Sequence, residues 1–225
     1  MNDGSWRAWL KRSDVIQPGD IVIDGGANIG DFTTIFADKV GPTGYVYAFE
    51  PHPATAVQLR DRVPPHVQVI PAALGAIDGT GVLFTGGDSK QSSQFSSLVS
   101  HHEPTPIRIS LMRLDTFLHS HCQDHAPIRP SFIKLDVQGA EANVLLGAGE
   151  ALATGHAMWL IELWAHGLRV AGSSAEWVAT IFMQALYHPW LIENEDPYQV
   201  EWSVVLKEAN EKKEGAAVNV LVRRA

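Results

Sequence analysis

The first regular pattern along the chain is a short β-branched run, Ile21-Val22-Ile23, ending in Asp24 and a pair of glycines. A run this short, closed by a turn signal, predicts a buried strand. Beyond Gly30 the apolar residues Phe32, Ile35, Phe36 and Val40 recur at helical spacing, and Gly41-Pro42 stops them. Tyr45-Val46-Tyr47-Ala48-Phe49 predicts a second strand, closed by Glu50-Pro51. A helix follows from about Ala54 to Val63, ended by Pro64-Pro65, and Val67-Gln68-Val69-Ile70 is the third strand. Strand, helix, strand, helix, strand at these intervals predicts a parallel sheet with helices on its faces.

The middle of the chain is less regular. Gly81 to Thr85 and Arg108 to Leu111 read as strands, and Leu114-Asp115-Thr116-Phe117-Leu118 opens a short helix. Between them, the polar, serine-rich Gly86 to Ser97 and the segment His101 to Pro106 predict a flexible lid or acceptor loop over 86–106. Ser131 to Asp136 repeats the strand-to-acid pattern of the first strand, and Met158 to Leu163 is a further buried strand. Ser173-Ser174-Ala175-Glu176 reads as a capping box with Ser173 as N-cap, opening a helix whose buried face carries Trp177, Val178, Ile181, Phe182 and Ala185. Trp190-Leu191-Ile192 and Val218 to Val222 are the last strands, with a solvated helix or loop from Lys207 to Glu214 between them. There is no internal repeat and no dividing linker, so one domain over 1–225 is expected, with 1–14 as an N-terminal extension.

Composition narrows the class. Apolar residues make up 45% of the 225 and charged residues 19%, as in an ordinary soluble domain. Cys122 is the single cysteine, which excludes an internal disulfide and suits a reducing cytoplasm. Met1 to Arg7 does not read as a signal peptide, and no apolar stretch approaches the ~20 residues of a membrane span. The net charge of −8 argues against DNA or long RNA as a partner, since such binders need a basic field; Arg7, Lys11, Arg12, Arg223 and Arg224 are scattered at the ends.

The chemistry gathers in the turns. In an open parallel sheet, ligands bind beyond the carboxyl ends of the strands, where the strand order reverses. The first turn is Asp24-x-Gly26-Ala27-Asn28-x-Gly30. Glycine at 26 lets a ligand approach the backbone, and glycine at 30 lets the helix pack against the sheet. The spacing is not the G-x-G-x-x-G of dinucleotide folds. An acid followed by a glycine turn into a helix suits the amino and carboxylate groups of a methionine moiety. Glu50, at the end of the second strand, can accept two hydrogen bonds from ribose hydroxyls. A charge at a helix N-terminus is the plainer account of Glu50 taken alone.

Three blocks then stand together: Val22 to Gly30, Ala48-Phe49-Glu50-Pro51, and Ile133-Lys134-Leu135-Asp136-Val137-Gln138-Gly139-Ala140-Glu141. They resemble the hallmark segments of the FkbM family of methyltransferases, over about Val15 to Trp164 and more loosely to the final strand. Ala72-Ala73-Leu74-Gly75 and Leu114-Asp115 are weaker echoes, and Gln138 stands where the family commonly has glutamate. The resemblance implies a Rossmann-like class I methyltransferase fold, α/β, with a mostly parallel sheet, helices on both faces and an antiparallel C-terminal strand. It implies S-adenosylmethionine as donor, S-adenosylhomocysteine as product, and a hydroxyl of a sugar or secondary metabolite as acceptor. Asp24, Gly26, Ala27, Asn28 and Gly30 would hold the methionine end, Glu50 with Pro51 the ribose, and Ala73 with Leu74 the adenine.

Methyl transfer is an in-line displacement, for which alignment is the main contribution and a base is a further aid. Asp136, Glu141 and His166 are the base candidates. Asp136 could instead orient the donor's ammonium group, Glu141 could only cap its helix, and His166 could be incidental. Lys134 shares a strand face with Asp136, as a buried ion pair. The cluster His119 to His125 lacks a second ligand group for zinc and reads as surface loop. A divalent ion shared by Asp136, Glu162 and His166 is not predicted but stays open. The acceptor is expected to be small, unless a homodimer completes the cleft. Trp164, Trp177, Trp190 and Trp202 are either acceptor-pocket walls or core. The rival classes are an NAD-dependent oxidoreductase on the same sheet and a catalytically silent nucleoside-binding or interaction domain.

Overall fold

A computed structural model describes residues 3–85, 105–123, 126–193, 196–213 and 215–224. In chain order these form α1 (Asp3–Arg12), β1 (Ile21–Gly25), α2 (Asp31–Val40), β2 (Tyr45–Phe49), α3 (Pro53–Arg62), β3 (Val67–Ile70), β4 (Ala72–Leu74), β5 (Gly79–Thr85) and β6 (Thr105–Met112). They continue as α4 (Leu114–Ser120), β7 (Cys122–Gln123), β8 (Ala126–Pro127), β9 (Phe132–Leu135), α5 (Glu141–Leu146), α6 (Gly149–Thr154), β10 (Met158–Leu163) and α7 (Ala165–Val170). The last are α8 (Ala175–Gln184), β11 (Tyr187–Glu193), β12 (Asp196–Gln199), α9 (Trp202–Glu211) and β13 (Val218–Arg224).

The main sheet runs β12-β11-β13-β10-β9-β1-β2-β3. β1 lies between β2 and β9, parallel to both, and β3 and β10 extend the parallel set outward. β13 is antiparallel to β10 and β11, as expected of a C-terminal antiparallel strand. Chain order reverses between β1 and β9, so the carboxyl ends of β1, β2, β9 and β10 open around one crevice.

Strand side chains alternate between two apolar layers. Val22, Val46, Ala48, Phe132, Leu160 and Leu221 face α1, α2 and α3, while Ile23, Phe49, Ile133, Leu135, Trp159 and Ile161 face the helices after β6. Residues 3–12, set apart in the sequence as part of an extension, form α1, which buries Trp6, Trp9 and Leu10 in the first of these layers.

Three local outcomes differ from the sequence reading. The N-cap of α8 is Ser174, whose hydroxyl accepts the Trp177 N–H at 3.1 Å. Ser173 is one residue early because its own N–H closes the preceding helix on the Leu168 carbonyl. α9 begins at Trp202 and buries Trp202, Val205 and Ala209, so the stretch from Lys207 continues a helix already packed on the core and is not wholly solvated. Ala72–Leu74, not read as a strand in the sequence, forms β4, which joins β6 and β5 in a small second sheet. The loop expected over 86–106 lies outside the described residues, apart from Thr105 and Pro106, which begin β6.

Candidate active site

The glycine turn is strapped to the end of β2: the Gly26 and Ala27 N–H groups both donate to the Phe49 carbonyl, at 3.1 and 3.0 Å. Gly26 has φ 77°, and a β-carbon there would stand 2.0 Å from the Asp136 carbonyl oxygen. No other residue fits that close approach of the turn after β1 to the end of β9. Gly30, at φ 94°, is glycine because a β-carbon would meet Leu59 of α3 at 2.5 Å. Asn28 takes the left-handed conformation at φ 50° and lines the cleft. Its side-chain oxygen is buried and has no hydrogen-bond partner among the described residues.

Glu50 is 7% exposed and held from two sides. Its Oε2 accepts the Asn28 N–H at 2.9 Å and its Oε1 the His52 N–H at 2.8 Å. Burial pushes its carboxyl up to about 7; the two backbone donors work against that shift and nearby Asp24 adds to it. Glu50 lines the same cleft as the glycine turn.

At the ends of β9 and β10, one cation meets several carboxyls. Lys134 Nζ lies 3.0 Å from Asp136 Oδ2 and 4.0 Å from Asp24 Oδ1, over the face of the Phe32 ring. The pairing of Ile161 with Leu135 sets Glu162 beside Asp136 one step on. The Gln138 amide joins them, donating to Asp136 Oδ1 at 2.7 Å and Glu162 Oε2 at 2.9 Å. Burial is the largest influence on Asp136 and opposes its ionisation, but the Lys134 charge together with hydrogen bonds from Glu162, Lys134 and Gln138 outweighs it and holds this carboxyl below its usual range. Glu162 is driven well above it by burial and by the Asp136 charge. Burial also raises Asp24. Gln138, the departure from the expected glutamate, sits at φ 55° and supplies the amide that links two acids.

The cleft between these groups has a volume of about 350 Å³, within the range of small-ligand sites. Of the predicted residues, Gly26, Ala27, Asn28, Glu50, Pro51, Ala73, Leu74 and Asp136 line it. Asp24 and Gly30 lie beneath the turn: Asp24 is fully buried and accepts the Thr33 hydroxyl at 2.6 Å. Glu141 is also fully buried; its Oε1 accepts the Val137 and Gly139 N–H groups, and burial lifts it to about 7. His166 sits on α7, with its ring 5.6 Å from that of Trp164, and is not in the cleft wall. Trp164 is in the wall, whereas Trp202 stacks on Phe182 and Trp177 is exposed. Arg7, Phe32, Lys134, Gln138 and Glu162 line the cleft as well. Among the described residues no three His, Cys, Asp or Glu side chains converge as metal ligands, so the Asp136–Glu162–His166 set is not assembled. Asp124 and His125, which end the histidine-rich cluster, lie outside the described residues.

The methyltransferase FkbM domain model matches residues 24–186, well over half of the chain. Among curated proteins none matches in sequence. Among solved structures, a candidate rRNA methylase from Clostridium thermocellum superposes with a TM-score of 0.53 at 11% identity, covering 98% of this chain and 93% of that one. A SAM-dependent O-methyltransferase from Thermotoga maritima gives 0.50 at 12% identity, covering 97% and 64%. Methyltransferase FkbM from Methylobacillus flagellatus gives 0.49 at 15%, covering 91% of this chain and 43% of that one. The chain thus spans less than two thirds of the last two proteins. At these identities the likeness is one of fold.

Proposed function

The chain belongs to the FkbM methyltransferase family, and on that premise we propose that it is an S-adenosylmethionine-dependent methyltransferase acting on a hydroxyl of a small molecule. The observation that carries the reading is Glu50. Its carboxylate is fixed by two backbone donors in the wall of a cleft that Asn28 also lines, and the Asn28 side-chain oxygen is buried there with no partner among the described residues. These acceptors fit a donor that brings ribose hydroxyls and an ammonium group.

In this reading Glu50 takes the ribose hydroxyls, Ala73 and Leu74 wall the adenine, and the Gly26 to Asn28 turn takes the methionine end. S-adenosylmethionine supplies an activated methyl group. The chain then has to align the acceptor and manage its proton. Asp136, oriented by Lys134 and Gln138, accepts a hydrogen bond from the acceptor hydroxyl, and Glu162 beside it takes the proton once ionised. Asp24, Gly30 and Glu141 build the turn, and His166 is left without a role in the chemistry.

Calorimetry with S-adenosylmethionine, S-adenosylhomocysteine and NAD tests the donor. The first two should bind and NAD should not; binding of NAD alone removes the proposal. Incubation with hydroxylated small molecules, followed by mass spectrometry for a gain of one methylene, tests the acceptor. Methylation confined to amines or RNA removes its O-directed, small-molecule part.

A further inference from the structure

α1 carries a cation into the cleft. Trp6, Trp9 and Leu10 are buried against the β1–α2 layer, and that seat fixes the helix by three apolar anchors. Arg7, between them in sequence, lines the cleft beside the glycine turn. Its guanidinium lies 5.2 Å from the centre of the Phe32 ring, and Nη1 is 3.1 Å from Asp31 Oδ2. Phe32 and Asp31 are the first residues of α2, directly after the turn. The partner carboxylate of Asp31 is 44% exposed, so the ion pair is solvent-screened and a ligand carboxylate can compete for the guanidinium.

The other half of the site is the Asn28 side-chain oxygen, an acceptor buried in the wall of the same cleft. An acceptor and a guanidinium flanking one glycine turn match the two charges of an amino-acid zwitterion. We infer that Arg7 binds the α-carboxylate of the methionine portion of the donor, so that α1 is part of the donor site. Arginine suits this task because its planar fork meets both carboxylate oxygens at once, which lysine cannot do. The inference rests on the donor proposed above.

The test compares two ligands that differ by that carboxylate alone. Affinities of wild type, Arg7→Gln and Arg7→Lys are measured by calorimetry with S-adenosylmethionine and with its decarboxylated analogue. Wild type should prefer the carboxylated ligand. Arg7→Gln should weaken S-adenosylmethionine about tenfold or more and leave the analogue unchanged, closing the gap between them. Arg7→Lys should fall between, retaining charge without the fork. Equal weakening of both ligands, or of neither, overturns the inference and leaves the donor assignment standing. Failure of wild type to bind either ligand removes both. Thermal melts of the variants show whether α1 is still seated; an unfolded Arg7→Gln leaves the Arg7→Lys comparison to decide in the same way.

Discussion

Glu50→Gln should make the protein more stable near pH 8 and a poorer ligand binder at the same time. The Glu50 carboxyl stands at about 7 in the folded chain against an ordinary 4.5, with burial as the main cause. The folded state therefore holds this proton more tightly than the unfolded chain does. That contribution to stability is whole below about pH 4.5 and is lost as pH rises through about 7. At pH 8 the ionised, buried carboxylate is a burden of about 3 kcal/mol. Glutamine removes the charge but offers one oxygen where Glu50 offers two, so one of the Asn28 and His52 N–H groups loses its acceptor. That loss is worth about 1 kcal/mol. The net gain is about 2 kcal/mol at pH 8, which for a chain of this size raises Tm by about 4–8 °C.

Below pH 4.5 the sign reverses, because only the lost hydrogen bond remains and the variant should be the less stable by about 1 kcal/mol. Thermal unfolding of both proteins across pH 4.5 to 8.5, followed by tryptophan fluorescence, reads this directly. A Tm difference that stays constant with pH would mean that Glu50 does not change its proton affinity on folding. Donor affinity should move the opposite way: loss of a charged acceptor facing two hydroxyls weakens binding about tenfold or more. The ligand's own amine titrates identically in both experiments, so the difference between the two proteins isolates Glu50.

Asp115→Ala should lower stability by about 2–3 kcal/mol, seen as a lower denaturant midpoint, because it strips the acceptor from two N–H groups at the start of a helix. Asp115 is 3% exposed and accepts the Glu150 and Ala151 N–H groups of α6, each at 3.1 Å. Gly26→Ala should abolish donor binding in calorimetry, or folding by circular dichroism, since its methyl would stand 2.0 Å from the Asp136 carbonyl; a folded, tightly binding variant would contradict the close approach of the turn after β1 to the end of β9. Glu162 is raised by burial and by Asp136, so kcat/KM should climb with pH well above the ordinary carboxylate range as it ionises. Glu162→Gln should flatten that limb; an unchanged profile would take the proton-accepting role away from Glu162.

The parts of the site that were legible in the sequence are those whose neighbours are also neighbours in the chain. The turn from Asp24 to Gly30 announces itself by one local spacing, and Glu50 by its place at a strand end. Arg7 carries no such signal. By composition it was one of several scattered terminal charges, and only the burial of Trp6, Trp9 and Leu10 brings it to the cleft. Glu162 was legible as a strand-end acid that could share an ion with Asp136 and His166, and not as a partner bonded to Asp136 through Gln138. Its proximity to Asp136 depends on the pairing of β9 with β10, which no single segment encodes. The N-cap of α8 slipped by one residue because two adjacent serines offer the same hydroxyl, and the end of α7 had already claimed the first of them.

A shared motif also merges two physical tasks that the structure separates. Asp24, Gly30 and Glu141 belong to the blocks that carry the family resemblance, yet none of them lines the cleft. Glu141 bonds the Val137 and Gly139 N–H groups and so fixes the turn that presents Gln138. Asp24 stands behind Lys134, which in turn holds Asp136. Asp24, Asp136 and Glu162 thus share one ammonium, and Glu141 feels the Asp136 charge. Burial raises Asp24, Glu141 and Glu162, while Asp136 is lowered because Lys134 and three side-chain hydrogen bonds act on it together. A sulfonium donor would add a second positive charge to this set and draw the raised carboxyls toward ionisation. In the proposed function, the donor's charge would thereby help to ready Glu162 for the acceptor's proton.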